Sequence, residues 1–339
     1  MASIFLTSAL EGVVPPGDWA LGPLRLFRWS AEHGSPGEHR LAANPRDADV
    51  VLFAGGGRAP VLAHVRGCAL YREFWKKSYV FVPNDRPLPL IPGLYASLEK
   101  GYHDPEWSRG GFYVHMDEHD RFHAQPFDAD TDLLFSFVGS ATNAEVRRHI
   151  LTLQHPRIRL EDTSGRVLPA FVNNDREAIA RLHENYVETT RRSRFVLCPR
   201  GEGVSSMRLF ETMRMARCPV ILGDDWVPPD GPDWDACAIQ VPESDWASLP
   251  MRLEAIEHEA RSRGELARRE WERWFSSEQL FQTVAGVCLD LHRLGAAADR
   301  TKRLRFHAQR LRPHYLKAQL RHAWKARQDP ATSRRRSPQ

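Results

Sequence analysis

The chain has 339 residues, 42% hydrophobic and 27% charged, with a formal net charge of +4. That length exceeds a usual single domain and predicts two, each with its own core. Five cysteines, at 68, 198, 218, 237 and 288, show neither an even count nor a short paired spacing, which excludes a disulfide framework and a zinc cluster and suits a reducing compartment.

The chain opens on MASIFLTSALEG, an apolar run with no basic residue ahead of it, and no later segment reaches the ~20 apolar residues of a membrane span. A soluble protein is expected. Four strand-like runs follow, SIFLTSAL, ADVVLFAG, SYVFVPND and GFYVHMDE, separated by Pro, Gly and charged clusters, and they predict an α/β domain over residues 1–130. Asp85 in FVPNDRP, and His115 and Asp117 in FYVHMDEHD, trail such runs, where residues at the carboxyl edge of a parallel sheet face a crevice. Each is a candidate general base, although a solvated loop is the default for all three. His115, His119 and His123 recur every four residues and would share one face of a helix, but FYVH reads as strand and no Glu directly follows the first His. No metal site is expected there. The DAD at 128–130 has the form of the DxD of metal-dependent transferases, yet it follows no apolar strand and reads as linker.

A second α/β domain is expected over 131–290. LLFSFVG reads as a buried strand, followed by a Gly-Ser loop and the helical AEVRRHILTL. Asn173 and Asn174 read as a turn, 176–193 as a helix, then SRFVLCP as strand, PVIL as strand and 245–290 as helices. This alternation predicts a parallel sheet.

At its centre is CPRGEGVSSMRLFETMRMARCPVILGDDWVPP, residues 198–229. Met207, Phe210 and Met213 repeat at helical spacing after Ser205 or Ser206 as N-cap, so the order is strand, loop, helix. Such a crossing points backbone N–H groups and the positive end of a helix dipole into the crevice, where phosphates bind. Gly201 and Gly203 let the backbone approach a ligand or adopt positive φ. Arg200 lies in the loop. Arg208 sits in the first turn, where its charge opposes the dipole unless an anion is bound. Glu211, one turn on, either accepts a ribose diol or holds Arg208. Taken singly, the last two read as a surface ion pair. Neither a Walker loop nor GxGxxG is present. Cys198 beside Arg200 reads as a buried strand thiol rather than a nucleophile, since no positioned histidine accompanies it.

SRFVLCPRGEGVSSMRLFETMRMARCPVILGDDWVPP resembles the donor-binding signature of the exostosin family, glycosyltransferase family 47, and LLFSFVGSATNAEVRR is similar to that family's strand, glycine turn and Arg-bearing helix. The resemblance implies a GT-B fold: α/β, with two facing Rossmann-like domains carrying parallel sheets. It implies transfer of a sugar from a nucleotide-diphosphate donor, UDP-linked by preference, to a glycan or lipid-linked acceptor, inverting and without a metal or other cofactor. By the same resemblance Arg200 and Arg208 face the diphosphate, Ser205 and Ser206 cap it, Glu211 holds the ribose, and Asp224 and Asp225 edge the sugar. Gly139, Ser140 and Arg147 form a secondary donor loop. The rival readings are a GDP-sugar transferase such as a fucosyltransferase, and a glycan- or nucleotide-binding protein without turnover.

Trp226, Trp234 and Trp246 either stack on sugar or anchor loops. Residues 301–339 hold twelve Lys or Arg against one acidic residue, so the tail contributes +11 and the body is −7. An acidic body with a basic tail is not the footprint of a nucleic-acid binder. Residues 291–339 are expected to form a helix and a basic, partly disordered tail that touches anionic lipid. The expected location is cytoplasmic, peripheral to the inner membrane.

Overall fold

The computed structural model describes residues 2–56, 61–114, 122, 127 and 131–311. Two sheets of parallel pairs organise it. The first contains β1 (Ala2–Thr7), β2 (His39–Leu41), β3 (Val50–Ala54), β4 (Ser78–Val82), β5 (Gly93–Tyr95) and β6 (Ser108–Gly110), in the order β2-β1-β3-β4-β5-β6. The second contains β7 (Leu133–Gly139), β8 (Ile158–Asp162), β9 (Ser193–Pro199), β10 (Cys218–Leu222) and β11 (Ile239–Gln240), in the order β11-β10-β9-β7-β8. The helices are α1 (Gly22–His33), α2 (Val61–Gly67), α3 (Ala69–Phe74), α4 (Glu145–Ile150), α5 (Val167–Val172), α6 (Arg176–Arg191), α7 (Met207–Arg214), α8 (Trp234–Cys237), α9 (Leu249–Ala255), α10 (Ala260–Trp274), α11 (Leu280–Arg293) and α12 (Arg300–Gln309).

Every residue of β3 (VVLFA) and β4 (SYVFV) is buried, as continuous apolar runs are when a parallel strand is covered on both faces. The edge strand β8, IRLED, is only half-buried and carries charges: Arg159 and Arg166 pair with Glu161. That mixture hides it from a hydrophobic-period search. The run GFYVHMDE is not a strand over its described part, 111–114; β5 and β6 supply the outer edge of the first sheet instead, each only three residues long.

The two sheets share apolar packing. Phe112 lies 5.2 Å from Phe81 of the first sheet, 6.3 Å from Phe210 of α7 and 5.0 Å from Phe275 at the end of α10. The chain returns to the first layer at α11, inside the segment expected to belong to the second domain: Ser30 accepts the Phe281 N–H at 3.0 Å, and Gln282 donates to the His39 carbonyl. Then α12 stacks Phe306 on Trp107 at 5.4 Å, while Lys302 and Arg305 reach Asp104. The beginning of the basic tail is therefore structural. Phe306→Leu, which keeps bulk and loses the stacked ring, is expected to cost about 1 kcal/mol in urea unfolding.

The carboxyl edges of the sheets face each other, the GT-B arrangement that the family resemblance implies. Arg86 donates to the Glu202 carbonyl at 2.6 Å, Val204 N–H to Ser97 Oγ at 2.7 Å, and Val227 N–H to the Leu98 carbonyl at 3.0 Å. Lys100 Nζ reaches the Asp224 carbonyl at 2.6 Å, and Arg109 pairs with Asp230.

Candidate active site

The crossing from β9 to α7 forms as its sequence pattern predicts. Burial of Leu209, Phe210 and Met213 fixes α7 against the sheet, and Arg208 and Glu211 share its face toward β7. The conflict between Arg208 and the helix dipole is met by three partners. Its Nη1 donates to Glu211 Oε2 at 2.8 Å, its Nε donates to the Val138 carbonyl at 3.1 Å, and it lies over the Tyr186 ring at 4.3 Å. Burial pulls the Arg208 pKa down, but the Glu211 carboxylate outweighs it and holds the guanidinium above its ordinary value. Glu211 is 3% exposed, so this is no surface pair, and of the two partners its position left open the carboxylate bonds Arg208.

Arg147 of α4 is 8% exposed and has no carboxylate in contact among the described residues. It donates to the carbonyls of Arg200 (2.8 Å), Ser140 (3.2 Å) and Pro199 (3.1 Å), tying together the carboxyl ends of β7 and β9. Gly139 leaves room for the Phe137 ring, over which Arg147 lies at 5.6 Å. Burial, and next the charge of Arg208, bring the Arg147 pKa down to about 10. Both guanidiniums stand at the carboxyl ends of β7 and β9, Arg147 on the Ser140, Pro199 and Arg200 carbonyls and Arg208 on the Val138 carbonyl.

Ser205 and Ser206 lie at that terminus. Ser206 takes the N-cap position with extended backbone, yet its hydroxyl makes no capping hydrogen bond, contrary to the sequence expectation. Both hydroxyls are buried and without a hydrogen-bond partner among the described residues. Such groups are costly unless something else satisfies them.

Gly201 and Gly203 do not use positive φ. The Gly201 N–H bonds to the Ser205 carbonyl at 3.0 Å, which closes the loop. Gly203 serves close approach: a Cβ there would fall 2.0 Å from the Asp85 carbonyl oxygen and 2.1 Å from Ser97 Oγ. Arg200 turns aside to Glu243 at 2.8 Å, and the Asp224 carboxylate accepts the Glu243 N–H at 3.0 Å. Asp224 and Asp225 are exposed in the loop after β10.

Asp85 is exposed at the crevice and accepts from Tyr113 Oη at 2.6 Å. His115 and Asp117, with His119, His123 and the DAD at 128–130, lie outside the described residues. Among the described residues, no cluster of His, Cys, Asp or Glu could hold a metal ion, and no helix is long and apolar enough to cross a membrane. The Cys198 thiol is pushed up to about 12 by burial, which removes it as a nucleophile near neutrality. Trp226 is buried edge-on to Trp234 at 5.4 Å, and Trp246 stacks on His149 at 5.2 Å. The first two border a cavity of about 430 Å³ beside Arg263 and Gln240, which contains none of the arginines or serines above.

Tyr113, Ser97, Tyr186 and Glu243 were not singled out by sequence. Tyr186 had a faint signal, one apolar position on an amphipathic helix. The others meet their partners only through tertiary folding.

Residues 112–256, less than half of the chain, match the family model described as the Exostosin GT47 domain. That stretch is similar to the glycosyltransferase domain of the exostosin family. It begins at Phe112, where the two sheets meet, and takes in Arg147, the whole β9–α7 crossing and Glu243. The Exostosin-1 homolog of Caenorhabditis elegans is similar at 40% identity over 70 residues, which are 20% of this chain and 18% of that relative. Among solved structures, Anabaena Alr3699/HepE in complex with UDP gives a TM-score of 0.40 at 10% identity, over 86% of this chain and 100% of that one. TarM gives 0.41 at 10% identity, over 78% of this chain and 57% of its own. Those values are too low to transfer a residue's role.

Proposed function

We propose that the protein transfers a sugar from a nucleoside diphosphate donor, a UDP-sugar by preference, to a glycan or lipid-linked acceptor. One observation carries the reading: at the amino end of α7, two buried hydroxyls without partners among the described residues stand with two guanidiniums, Arg147 and Arg208, both bonded to carbonyls at the carboxyl ends of β7 and β9. A diphosphate supplies what each lacks. It accepts hydrogen bonds from Ser205 and Ser206, relieves the repulsion between the arginines and sits on the positive end of the helix. When the sugar–phosphate bond breaks, the charge that develops on the diphosphate meets these same groups. The chemistry then needs no bound metal. The hydroxyls are shut from solvent while Val204 is clasped to Ser97, so the donor enters as that clasp parts. Five free thiols fit action in a reducing compartment.

The test is a thermal-shift screen against UDP, GDP, CDP and dTDP with EDTA present. A ligand that binds only the native state adds about 2.7 kcal/mol of stability at a hundredfold excess over its Kd. UDP is expected to raise Tm the most. A shift that appears only after Mn²⁺ is added would refute the metal-free site.

A further inference from the structure

We propose that Asp85 is the base that takes the proton from the acceptor hydroxyl, with Tyr113 as the residue that positions it. This rests on the donor reading above. Asp85 follows β4 on the acceptor-side sheet, and its backbone carbonyl packs directly against Gly203 of the loop that leads into α7. The next residue, Arg86, donates to the Glu202 carbonyl at 2.6 Å, so the Asp85 turn is pinned to that loop. The carboxylate is exposed, and Oδ1 accepts from Tyr113 Oη at 2.6 Å. Oδ2 accepts no hydrogen bond among the described residues and is the atom available to an incoming hydroxyl. Burial, and then the charge of Asp85, hold the Tyr113 phenol well above its ordinary pKa, so it stays a neutral donor across the physiological range. The Asp85 turn thus abuts the loop that carries Ser205 and Ser206, where the diphosphate is proposed to bind.

In the step, the acceptor O–H proton passes to Asp85 Oδ2 as the acceptor oxygen bonds to the anomeric carbon. The bond from that carbon to the diphosphate oxygen breaks, and its electron pair leaves with the nucleoside diphosphate toward Arg147 and Arg208. A single displacement inverts the anomeric configuration.

The experiment uses the full chain with UDP-glucose, UDP-galactose, UDP-N-acetylglucosamine and UDP-glucuronic acid, water serving as acceptor. UDP release, UDP binding by calorimetry and the anomer first released, by proton NMR, are recorded. Asp85→Asn is expected to slow UDP release by about a hundredfold or more, with UDP affinity within about twofold of wild type, since the carboxylate is proposed to touch the acceptor and not the diphosphate. Tyr113→Phe keeps the ring and removes the hydroxyl; it is expected to lower kcat by about tenfold at unchanged KM for the UDP-sugar, a split that a purely structural role would not produce. Three results overturn the proposal: release by Asp85→Asn at the wild-type rate, loss of its UDP binding, or a retained anomer. Wild type that binds UDP but releases none from any of the four donors overturns it as well. Wild type that fails to bind UDP sinks the donor reading itself, a separate failure. Should Asp85→Asn not fold, as its melting curve would show, Tyr113→Phe and the anomer decide.

Discussion

Arg208→Ala is expected to lower UDP affinity by tenfold or more and to destabilise the fold by about 3 kcal/mol, two losses with different causes. The affinity loss is that of charge-assisted hydrogen bonds to the diphosphate, about 1.5–3 kcal/mol. The stability loss comes from Glu211, which is 3% exposed and would be left as a buried carboxylate without its cation. Breaking a buried pair from one side costs about 3–5 kcal/mol, and the partial exposure of Arg208 argues for the low end. The contact with Tyr186 disappears too. A second variant separates the effects. Replacing both partners with apolar residues of similar bulk, Arg208→Met with Glu211→Leu, removes the orphan charge and should recover most of the stability. It should not recover UDP binding. Urea unfolding and calorimetry read the two quantities independently, and a folded double variant with wild-type UDP affinity would sink the donor-site assignment.

What the sequence revealed is local in origin. The β9–α7–β10 unit was legible because SRFVLCP is a bounded apolar run and Met207, Phe210 and Met213 repeat at helical spacing, both properties of neighbouring residues. The proximity of Arg208 and Glu211 followed from their three-residue offset. Arg147 could be picked out only through resemblance: nothing local distinguishes it from Arg148, yet one is buried on three carbonyls and the other points to solvent.

Partners distant in sequence were not legible. Arg200 finds Glu243 forty-three positions away, and Val204 finds Ser97 across 107. Tyr113 meets Asp85 over 28. No period encodes such pairs, because sheet order alone brings them together. Burial was not legible either: Glu211, for which the sequence left a ribose diol and Arg208 both open as partners, is 3% exposed and bonded to Arg208. The domain boundary fails similarly. α11 continues the helical pattern of α10 without a compositional break, but its apolar face, including Phe281, Val284 and Cys288, packs on the first sheet. A chain that shares one apolar cluster between its halves through Phe112 has little freedom to swing them widely apart. Loop movements around Gly203 are then the economical way to admit a donor.

Gly203→Ala tests that contact directly, and turnover is expected to fall by about a hundredfold while stability drops by about 1–3 kcal/mol. The new Cβ would lie 2.0 Å from the Asp85 carbonyl oxygen and 2.1 Å from Ser97 Oγ. The Ser97 hydroxyl can rotate away. The carbonyl belongs to the backbone and cannot, so the Asp85 turn must separate from the loop, taking the Arg86–Glu202 bond with it. A displacement of about 1 Å between a reacting group and its substrate is enough for a hundredfold loss, and here the displaced groups are the proposed base and the loop that carries Ser205 and Ser206. Gly201→Ala is the matched control. Its Cβ would meet Arg147 Nη2 at 3.4 Å and the Ser205 carbonyl at 3.8 Å, ordinary contacts at a residue without positive φ. Its Tm and UDP release should stay near wild type, within about 0.5 kcal/mol in stability. If Gly203→Ala turns over UDP-sugars as fast as Gly201→Ala, the close packing of Asp85 against the donor loop contributes nothing to the chemistry, and the two sheets face each other for stability alone.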